Sequence, residues 1–421
     1  MRILLLLCFL ATVSNKVFSE SDTACLNSKC EADQYMAGFA KIDISPKVDI
    51  DRVPTLTAEP QLLKIIHDPL YAKALVLSDG KKSIAFIALD LCFLASDSFD
   101  ELHQYLIKNS DYDHITLSVT HTHSGIFDHS KLDQLKVKSL EALEEAQRSF
   151  KPVEIGASSI VVDEAYNRRI HFNDSVKMLW TNPERQANRS VDNALGVIHI
   201  RALSGDSLAT IVNYSAHPTI TMDLENVVVS ADYPGAIASY ITSELGGNVL
   251  FLLGAGGDVN PYNSDTKPLE LAIKKSNDLG KKLSTGAVSS IKAIKDYTAR
   301  GSFLFSTQVF NKPKAEISAL MLTPNIAIAT FPGEYFNDFG EQLKAKSPVV
   351  NTFFIGYSNG NISYVPTEQA SKVGGYGAEL DSDVVLVSST TGQEHTDAAI
   401  AQLRKLNDEM LGVTIEANDK P

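Results

Sequence analysis

The chain has 421 residues, of which 44% are hydrophobic and 21% are charged, and its formal net charge is -13 at pH 7. This composition is typical of a globular protein with a sizeable core. The negative charge argues against nucleic acid as a partner, because neutralising phosphates requires a basic surface. It argues equally against simple electrostatic docking on anionic lipid.

The N-terminus has the pattern of a secretory signal peptide, which we predict at residues 1–19. Arg2 precedes the apolar run 3–10, and residues 17–19 give a cleavage point. The run is shorter than the roughly 20 apolar residues that a membrane anchor needs, and no later segment qualifies. We therefore expect a soluble, exported protein, either secreted or periplasmic. In the polar segment 20–36 that follows, Cys25 and Cys30 are candidates for a disulfide, whereas Cys92 is expected to be buried.

Strand-like and helical patterns then alternate along the chain. Apolar segments predict strands at 72–77, 84–89, 115–119, 197–200, 210–214, 249–253, 326–330 and 353–355. Helical periodicity predicts helices at 99–107, 136–146, 235–245, 269–294, 335–344 and 396–411. The mixture predicts an α/β fold with a mixed β-sheet core flanked by helices. Because no repeat or linker interrupts it, we expect residues 37–421 to form a single domain.

Residues able to carry out chemistry follow the ends of many of these predicted strands. They are Asp90, His121, His123, His217, Asp258, Asn260, Glu334 and Tyr357. In open α/β sheets, strand ends converge on one crevice, so residues far apart in sequence meet there. The sequence therefore predicts an active site assembled from loops at strand ends.

The most informative of these loops is the run 120–125, which reads THTHSG. Two imidazoles one residue apart are either ordinary polar residues at a strand end or a pair serving one metal or catalytic site. Together, His121, His217 and Glu334 would supply two nitrogens and one carboxylate, the pattern of catalytic zinc with an open position for water.

Motifs along the chain resemble those of the neutral/alkaline (non-lysosomal) ceramidases, zinc amidases that split ceramide into sphingosine and a fatty acid. The matching segments, in order, are 37–46, 70–74, 88–92, THTHSG at 120–125, AYNR at 165–168, HPT at 217–219, GDVNP at 257–261, PGE at 332–334 and 358–364. They span nearly all of residues 37–380. The resemblance implies that 37–421 is a ceramidase-like zinc-hydrolase catalytic domain.

The resemblance also implies residue roles. One Zn²⁺ per chain would be bound by His121, His217, Glu334 and Tyr364, with Tyr357 as the alternative tyrosine. His123 would contact the substrate carbonyl or shuttle a proton. Arg168 would stabilise oxyanion charge.

The implied reaction is attack of zinc-bound water on the amide carbonyl of ceramide or a related N-acyl lipid. The oxyanion would be held by zinc and by His123, Tyr364 or Arg168, and an imidazole would protonate the leaving amine. Asp258 would either accept a hydrogen bond from a zinc-binding imidazole or cap a glycine-rich turn.

The chain departs from the family at three points. Asn260 stands where the family has a serine once proposed as the nucleophile, which leaves either an inactive protein or chemistry carried by the metal-bound water; we favour the second. Asn361 replaces the first of two tyrosines. The chain also ends soon after the predicted helix 396–411, so we expect a short form without the C-terminal immunoglobulin-like domain.

The sequence leaves other functions open. The chain could be a zinc hydrolase of other acyl amides or esters, or a catalytically impaired lipid-binding homologue. A two-metal phosphoesterase is disfavoured because Asp90, Asp232 and Asp258 lack clustered spacing. The expected partner is a small-molecule lipid substrate, not nucleic acid, and transient contact with a membrane surface stays open.

Overall fold

The structure is a computed structural model that describes residues 33–53, 60–172, 175–223 and 228–412. The predicted signal peptide at 1–19, the cysteines Cys25 and Cys30, and most of the polar segment 20–36 lie outside these residues. Within the described ranges, no helix combines the length and the apolar character needed to cross a membrane.

The described residues form 22 strands. They are β1 (Met36–Asp43), β2 (Arg52–Val53), β3 (Gln61–Leu62), β4 (Ile65–Ile66), β5 (Tyr71–Ser78), β6 (Ser83–Leu89), β7 (His114–Val119), β8 (Lys151–Val161), β9 (Ala165–Asn167), β10 (Arg169–Phe172), β11 (Ser175–Met178), β12 (Ala194–Ala202), β13 (Ser207–Tyr214), β14 (Val228–Val229), β15 (Asn248–Leu253), β16 (Val259–Pro261), β17 (Leu304–Asn311), β18 (Lys314–Thr323), β19 (Ile326–Thr330), β20 (Glu334–Tyr335), β21 (Asn351–Ile355) and β22 (Tyr364–Val365).

The same residues form seven α-helices and a short 3₁₀ turn at His129–Lys131. The helices are α1 (Ser96–Lys108), α2 (Leu132–Arg148), α3 (Asp232–Leu245), α4 (Leu269–Lys292), α5 (Asn337–Lys346), α6 (Glu368–Val373) and α7 (Thr391–Met410). Every strand and helix predicted from the sequence corresponds to one of these elements, which confirms the α/β fold with helices flanking a mixed core.

Two sheets dominate the fold. The larger has eight strands in the order β15-β13-β12-β8-β1-β5-β6-β7, and the smaller has four in the order β17-β18-β19-β21. Both are mixed, since β6–β7, β13–β15 and β19–β21 are parallel pairs while their other neighbours are antiparallel.

The two sheets pack face to face. One apolar cluster combines side chains of the large sheet, such as Leu75 and Phe86, with Leu320 and Phe353 of the small one. Because successive side chains of a strand point to opposite faces, the alternate residues of β5 and β6 pack instead against α1 to α4. The outer face of the small sheet packs against α5 and α7. The result is four layers, helix–sheet–sheet–helix.

Sequence patterns predicted β19 and β21 of the smaller sheet but neither β17 nor β18, and the outer strand β17 lacks an apolar alternation. Ser306, Thr307 and Gln308 follow one another in the middle of β17, which is exposed or half-buried along its whole length. The long strand β8 was missed for a similar reason, since Pro152 and a run of small and polar residues obscure its pattern.

The parallel pairs bring their carboxyl ends to one edge, where the two sheets meet. Beyond β21, the Asn359 amide oxygen accepts from the Leu117 backbone N–H at 2.8 Å, which couples the small sheet to β7 at the edge of the large one. Gly356 N also donates to Leu253 O at the end of β15. Loops from both sheets therefore converge on one site, as the sequence predicted.

Candidate metal centre

Three predicted ligands come together at this edge. His121 follows β7, His217 follows β13, and Glu334 begins β20; one donor atom from each lies within 4.8 Å of the others. The Glu334 Oε2 atom lies 3.2 Å from His217 Nε2 and 3.6 Å from His121 Nε2. Both imidazoles are buried.

Main-chain carbonyls orient the two imidazoles. His121 Nδ1 lies 2.6 Å from Cys92 O, and His217 Nδ1 lies 3.1 Å from Val259 O. A carbonyl only accepts hydrogen bonds, so each Nδ1 carries a proton and Nε2 is the nitrogen that each ring directs towards Glu334. Two neutral nitrogens and a carboxylate are the donors that catalytic zinc takes, so these residues fit that ion.

The protonation states suit a cation. Burial lowers the pKa of His217 to about 4, and the nearby Arg168 charge acts in the same direction. Burial alone would raise the pKa of Glu334, but charge interactions and hydrogen bonds with His121 and His217 hold it well below its ordinary value. The set therefore contains an ionised carboxylate and a neutral His217 near pH 7.

Unusual backbone conformations surround the centre. His121 has φ of 66°, and Tyr357, Asn359 and Ser363 have φ of 54°, 54° and 62°. Non-glycine residues rarely adopt this left-handed region, and such conformations cluster at functional sites. At His121 the conformation is held by a hydrogen bond from its N–H to Leu91 O.

The second histidine of the THTHSG run faces the same centre without being tied to the backbone. His123 Nε2 lies 3.3 Å from His121 Nε2. Its Nδ1 is buried and has no hydrogen-bond partner among the described residues. Burial and the neighbouring His121 lower the pKa of His123 well below its ordinary value. The surroundings of the two histidines therefore differ, although only one residue separates them in sequence.

Arg168 is buried beside the centre, and its guanidinium group donates hydrogen bonds to several acceptors. Its Nη2 donates to Gly257 O at 2.7 Å and to the Tyr364 hydroxyl at 3.0 Å, and its Nη1 donates to Asn260 Oδ1 at 3.3 Å. Because β20 pairs with β22, Tyr364 lies directly opposite Glu334 in register.

Both candidate tyrosines lie at the centre. The Tyr357 hydroxyl is 3.5 Å from Glu334 Oε2, and its ring lies 4.2 Å from the His121 ring, whereas the Tyr364 hydroxyl accepts from Arg168. Burial raises the pKa of both phenols well above the ordinary value, so both are neutral in this arrangement.

The carboxylate of Asp258 has partners other than an imidazole. It accepts from the Asn167 amide at 2.6 Å and from the Asn337 backbone N–H at the start of α5 at 2.8 Å. The carboxylate therefore caps the start of α5 and binds Asn167, and backbone carbonyls orient the imidazoles instead.

The aspartates considered for a second metal are also engaged elsewhere. Asp90 pairs with the buried Lys73 at 2.7 Å. Asp232 accepts from the backbone N–H groups of Ile220 and Thr221. Neither belongs to a metal-ligand group among the described residues.

Sequence patterns missed two aromatic residues near Arg168. The guanidinium carbon lies 5.2 Å from the Trp180 ring centre and 5.5 Å from that of Tyr376, and both rings are partly exposed. Trp180 is the only tryptophan of the chain, and Tyr376 stands between glycines 375 and 377. The sequence signal that could have identified Tyr376 is its position as an aromatic residue in a glycine-rich loop.

Comparison with known proteins places the fold of this chain in a recognised architecture. No known family profile matches the chain. The solved structure of neutral ceramidase from Pseudomonas aeruginosa aligns with a TM-score of 0.73 and 14% sequence identity, over 90% of this chain and 75% of that one. The chain has a neutral ceramidase-like fold. A ceramidase complexed with C2 gives the same TM-score and identity, over 76% of its own length.

Within this ceramidase-like fold, one centre is surrounded by His121, His123, His217, Glu334, Tyr364 and Arg168. At 14% identity the likeness concerns the fold. The roles of these residues stay predictions.

Proposed function

We propose that this protein is a zinc-dependent amide hydrolase that cleaves the N-acyl bond of ceramide or a related N-acyl lipid. The observation that carries the proposal is the convergence of His121 Nε2, His217 Nε2 and the Glu334 carboxylate within a ceramidase-like fold. A ceramidase of the same fold has been solved complexed with C2.

His121, His217 and Glu334 would hold the zinc ion, with Tyr364 or Tyr357 as the fourth side chain. When bound, zinc acts as a Lewis acid and lowers the pKa of water towards neutrality. The neutral imidazole of His217 and the ionised carboxylate of Glu334 need no proton loss before they bind a cation.

His123 is suited to proton transfer. It is neutral, faces His121 and keeps one ring nitrogen without a partner among the described residues. A neutral imidazole accepts a proton as water attacks the amide carbon, and then returns it to the departing amine nitrogen. Amide cleavage depends on that second transfer, because an unprotonated amine anion is a poor leaving group.

Arg168 and Tyr364 are suited to stabilise the oxyanion. The Tyr364 oxygen accepts from Arg168 Nη2, so its own hydroxyl proton is available to another acceptor. The adjacent guanidinium polarises that O–H group, which favours donation to developing negative charge. Losing one such donor costs roughly 10²–10³ in kcat.

Two aromatic rings support an amphipathic substrate. Trp180 and Tyr376 are exposed beside Arg168 and offer apolar surface next to the polar centre. A lipid amide needs this combination, with apolar contacts for its chains and polar groups for the scissile bond.

The test is hydrolysis by purified protein of ceramides of different acyl length, N-acyl amino acids and simple esters, each with and without chelator. We expect ceramide hydrolysis that chelation abolishes and zinc restores, with one zinc per chain by elemental analysis. A preference for esters or acyl amino acids would show that the substrate class is not the N-acyl lipids proposed here. Pocket binding without metal would indicate a lipid-binding homologue, and two metals per chain would contradict the mechanism.

We also propose that residues 1–19 direct export and that 37–421 act as one catalytic domain. The supporting observation is the apolar run after Arg2. Expression in a secreting host, followed by N-terminal sequencing of the exported protein, should locate cleavage near residue 19. Retention of uncleaved protein inside the cell would contradict this.

A further inference from the structure

Cys92 lies beside the proposed zinc centre, and its thiol has no part in the proposed hydrolysis. One donor atom from each of Cys92, His121 and His123 lies within 4.8 Å of the others. A second group, which meets the same distance limit, contains His121, His217 and Glu334. The two sets share His121 and differ in every other member.

His121 can serve only one of these sets at a time. Its Nδ1 proton is donated to Cys92 O at 2.6 Å, which leaves a single lone pair at Nε2. An ion that binds His121 together with Cys92 and His123 uses this lone pair. It therefore excludes an ion that binds His121 together with His217 and Glu334.

The two sets also differ in chemical character. His217 and Glu334 add a nitrogen and a hard oxygen, whereas Cys92 and His123 add sulfur and a nitrogen. Soft thiolate ligands select thiophilic cations such as Cu(I), whereas a set of nitrogens and a carboxylate suits zinc.

Two further observations indicate that the sulfur set is available. Cys92 is 1% exposed and forms no disulfide, so its thiol is protected from bulk solvent. The buried Nδ1 of His123 has no hydrogen-bond partner among the described residues, although a buried polar atom is costly to leave unpaired. The other ring nitrogen, Nε2, lies 3.3 Å from His121 Nε2, so His123 offers a ligand atom beside that of His121.

We propose that Cys92, His121 and His123 form an alternative binding site for a soft, thiophilic cation, mutually exclusive with the proposed zinc site. On binding, the Cys92 thiol loses its proton to solvent and a sulfur–metal bond forms; no oxidant or reductant takes part. Occupation of this set withdraws His121 from the zinc set and engages His123, so the cation acts as an inhibitor.

The experiment uses Cd²⁺ as the thiophilic probe on the full chain, freed of metal by chelation. Cadmium thiolates absorb in the ultraviolet, which reports sulfur coordination directly. Because Cys8, Cys25 and Cys30 are also present in the sequence, the informative signal is the part of this absorption that C92S removes. C92S retains His121, His217 and Glu334 and is the matched variant for zinc binding, while H217A retains Cys92, His121 and His123.

We expect wild-type protein and H217A to show the Cys92-dependent absorption, and C92S to lack it while still binding one zinc. We also expect C92S to weaken Cd²⁺ binding at least about tenfold, since losing even an outer partner of a metal ligand costs roughly 10–100-fold. Equal absorption in wild type and C92S would overturn the proposal. Loss of the Cys92-dependent absorption in H217A would also overturn it, provided that circular dichroism shows this variant to be folded. Absence of amide hydrolysis would remove the proposed function without affecting this result.

Discussion

At the scale of single residues, hydrogen-bond partners separate side chains that are alike in sequence. His121 and His217 are each fixed by a carbonyl, while His123, two residues from His121, has one free ring nitrogen among the described residues. Fixing one nitrogen selects the tautomer and aims the other, which is what a metal ligand requires. A proton carrier instead needs a nitrogen that is free to exchange its partner.

We predict that His121→Ala and His217→Ala each abolish both zinc binding and hydrolysis. Activity should fall by more than the roughly 10²–10³ that removal of one oxyanion donor costs, because the whole electrophilic centre is lost. Zinc content by elemental analysis and kcat on the best amide substrate measure the effect. The matched control is His199→Gln, a buried histidine bonded to Tyr297 and Ser207, which should keep its zinc. Full activity in H217A would contradict the proposed centre.

Asn260 has a structural role that does not require it to be a nucleophile. Its Oδ1 accepts from Arg168 Nη1 at 3.3 Å, and its Nδ2 donates to Trp180 O at 3.0 Å. The amide therefore links the proposed oxyanion donor to the segment that carries the exposed tryptophan.

We predict that Asn260→Ala lowers kcat/KM about tenfold, the cost of one hydrogen bond to a charged group, and leaves zinc content unchanged. Asn260→Ser introduces the residue found at this position in the ceramidase family that this sequence resembles. This variant should lose less activity. Steady-state kinetics with metal analysis distinguish these outcomes. If Asn260→Ala were as inactive as H217A with zinc still bound, attack by metal-activated water would be insufficient to explain catalysis.

At the scale of secondary-structure elements, a buried ion pair fixes the loop that holds His121. Asp90 follows β6 directly, pairs with Lys73 of β5, and also accepts from Tyr71 N. The next two residues, Leu91 and Cys92, supply the carbonyls that bind His121. The loop that orients the predicted ligand therefore depends on a charge pair between neighbouring strands.

We predict that Asp90→Asn destabilises the protein by about 3–5 kcal/mol, because it leaves the Lys73 charge buried without its partner. Urea unfolding monitored by circular dichroism measures the change. Asp49→Asn is the matched control, since its pair with Lys64 is solvent-exposed and such pairs contribute little. Equal midpoints for the two variants would show that the Lys73–Asp90 pair does not stabilise the fold.

At the scale of the whole molecule, several buried histidines make stability depend on pH. Burial lowers the pKa of His114, His199 and His395 to about 4 each. In the unfolded chain these groups titrate near 6.5. Between pH 6.5 and 4 the unfolded state therefore binds more protons than the folded one, so their contribution to stability is full above pH 6.5 and falls as the pH falls.

We predict that the free energy of unfolding decreases as the pH is lowered from 6.5 to 4, and that His199→Gln weakens this dependence. Each pKa unit of difference corresponds to about 1.4 kcal/mol. Urea unfolding of wild type and variant at several pH values gives the two slopes. Parallel slopes across this window would mean that His199 titrates alike in the folded and unfolded chains.

The packing of the two sheets decides which residues share the centre. His121 and His217 follow strands of the large sheet, whereas Glu334 and Tyr357 follow the strands β19 and β21 of the small one. The bonds from Asn359 to β7 hold these loops together across the junction. The proposed metal site is thus a property of the interface between the sheets.

The sequence alone was sufficient for elements whose signal is local. The apolar runs of β5 and β6 predicted strands because both faces of these strands are buried. Ordered motifs indicated His121, His217 and Glu334 as companions, and the structure brings their donor atoms together. These features follow from side-chain period and residue type, which can be read along the chain.

Only the tertiary structure decided the features that depend on distant partners. The second sheet, the capping role of Asp258, the contact of Tyr357 with Glu334 and the place of Cys92 beside His123 each join segments separated by tens or hundreds of residues. Such pairings depend on how sheets and loops pack in space. A single sequence carries no local periodicity that specifies them.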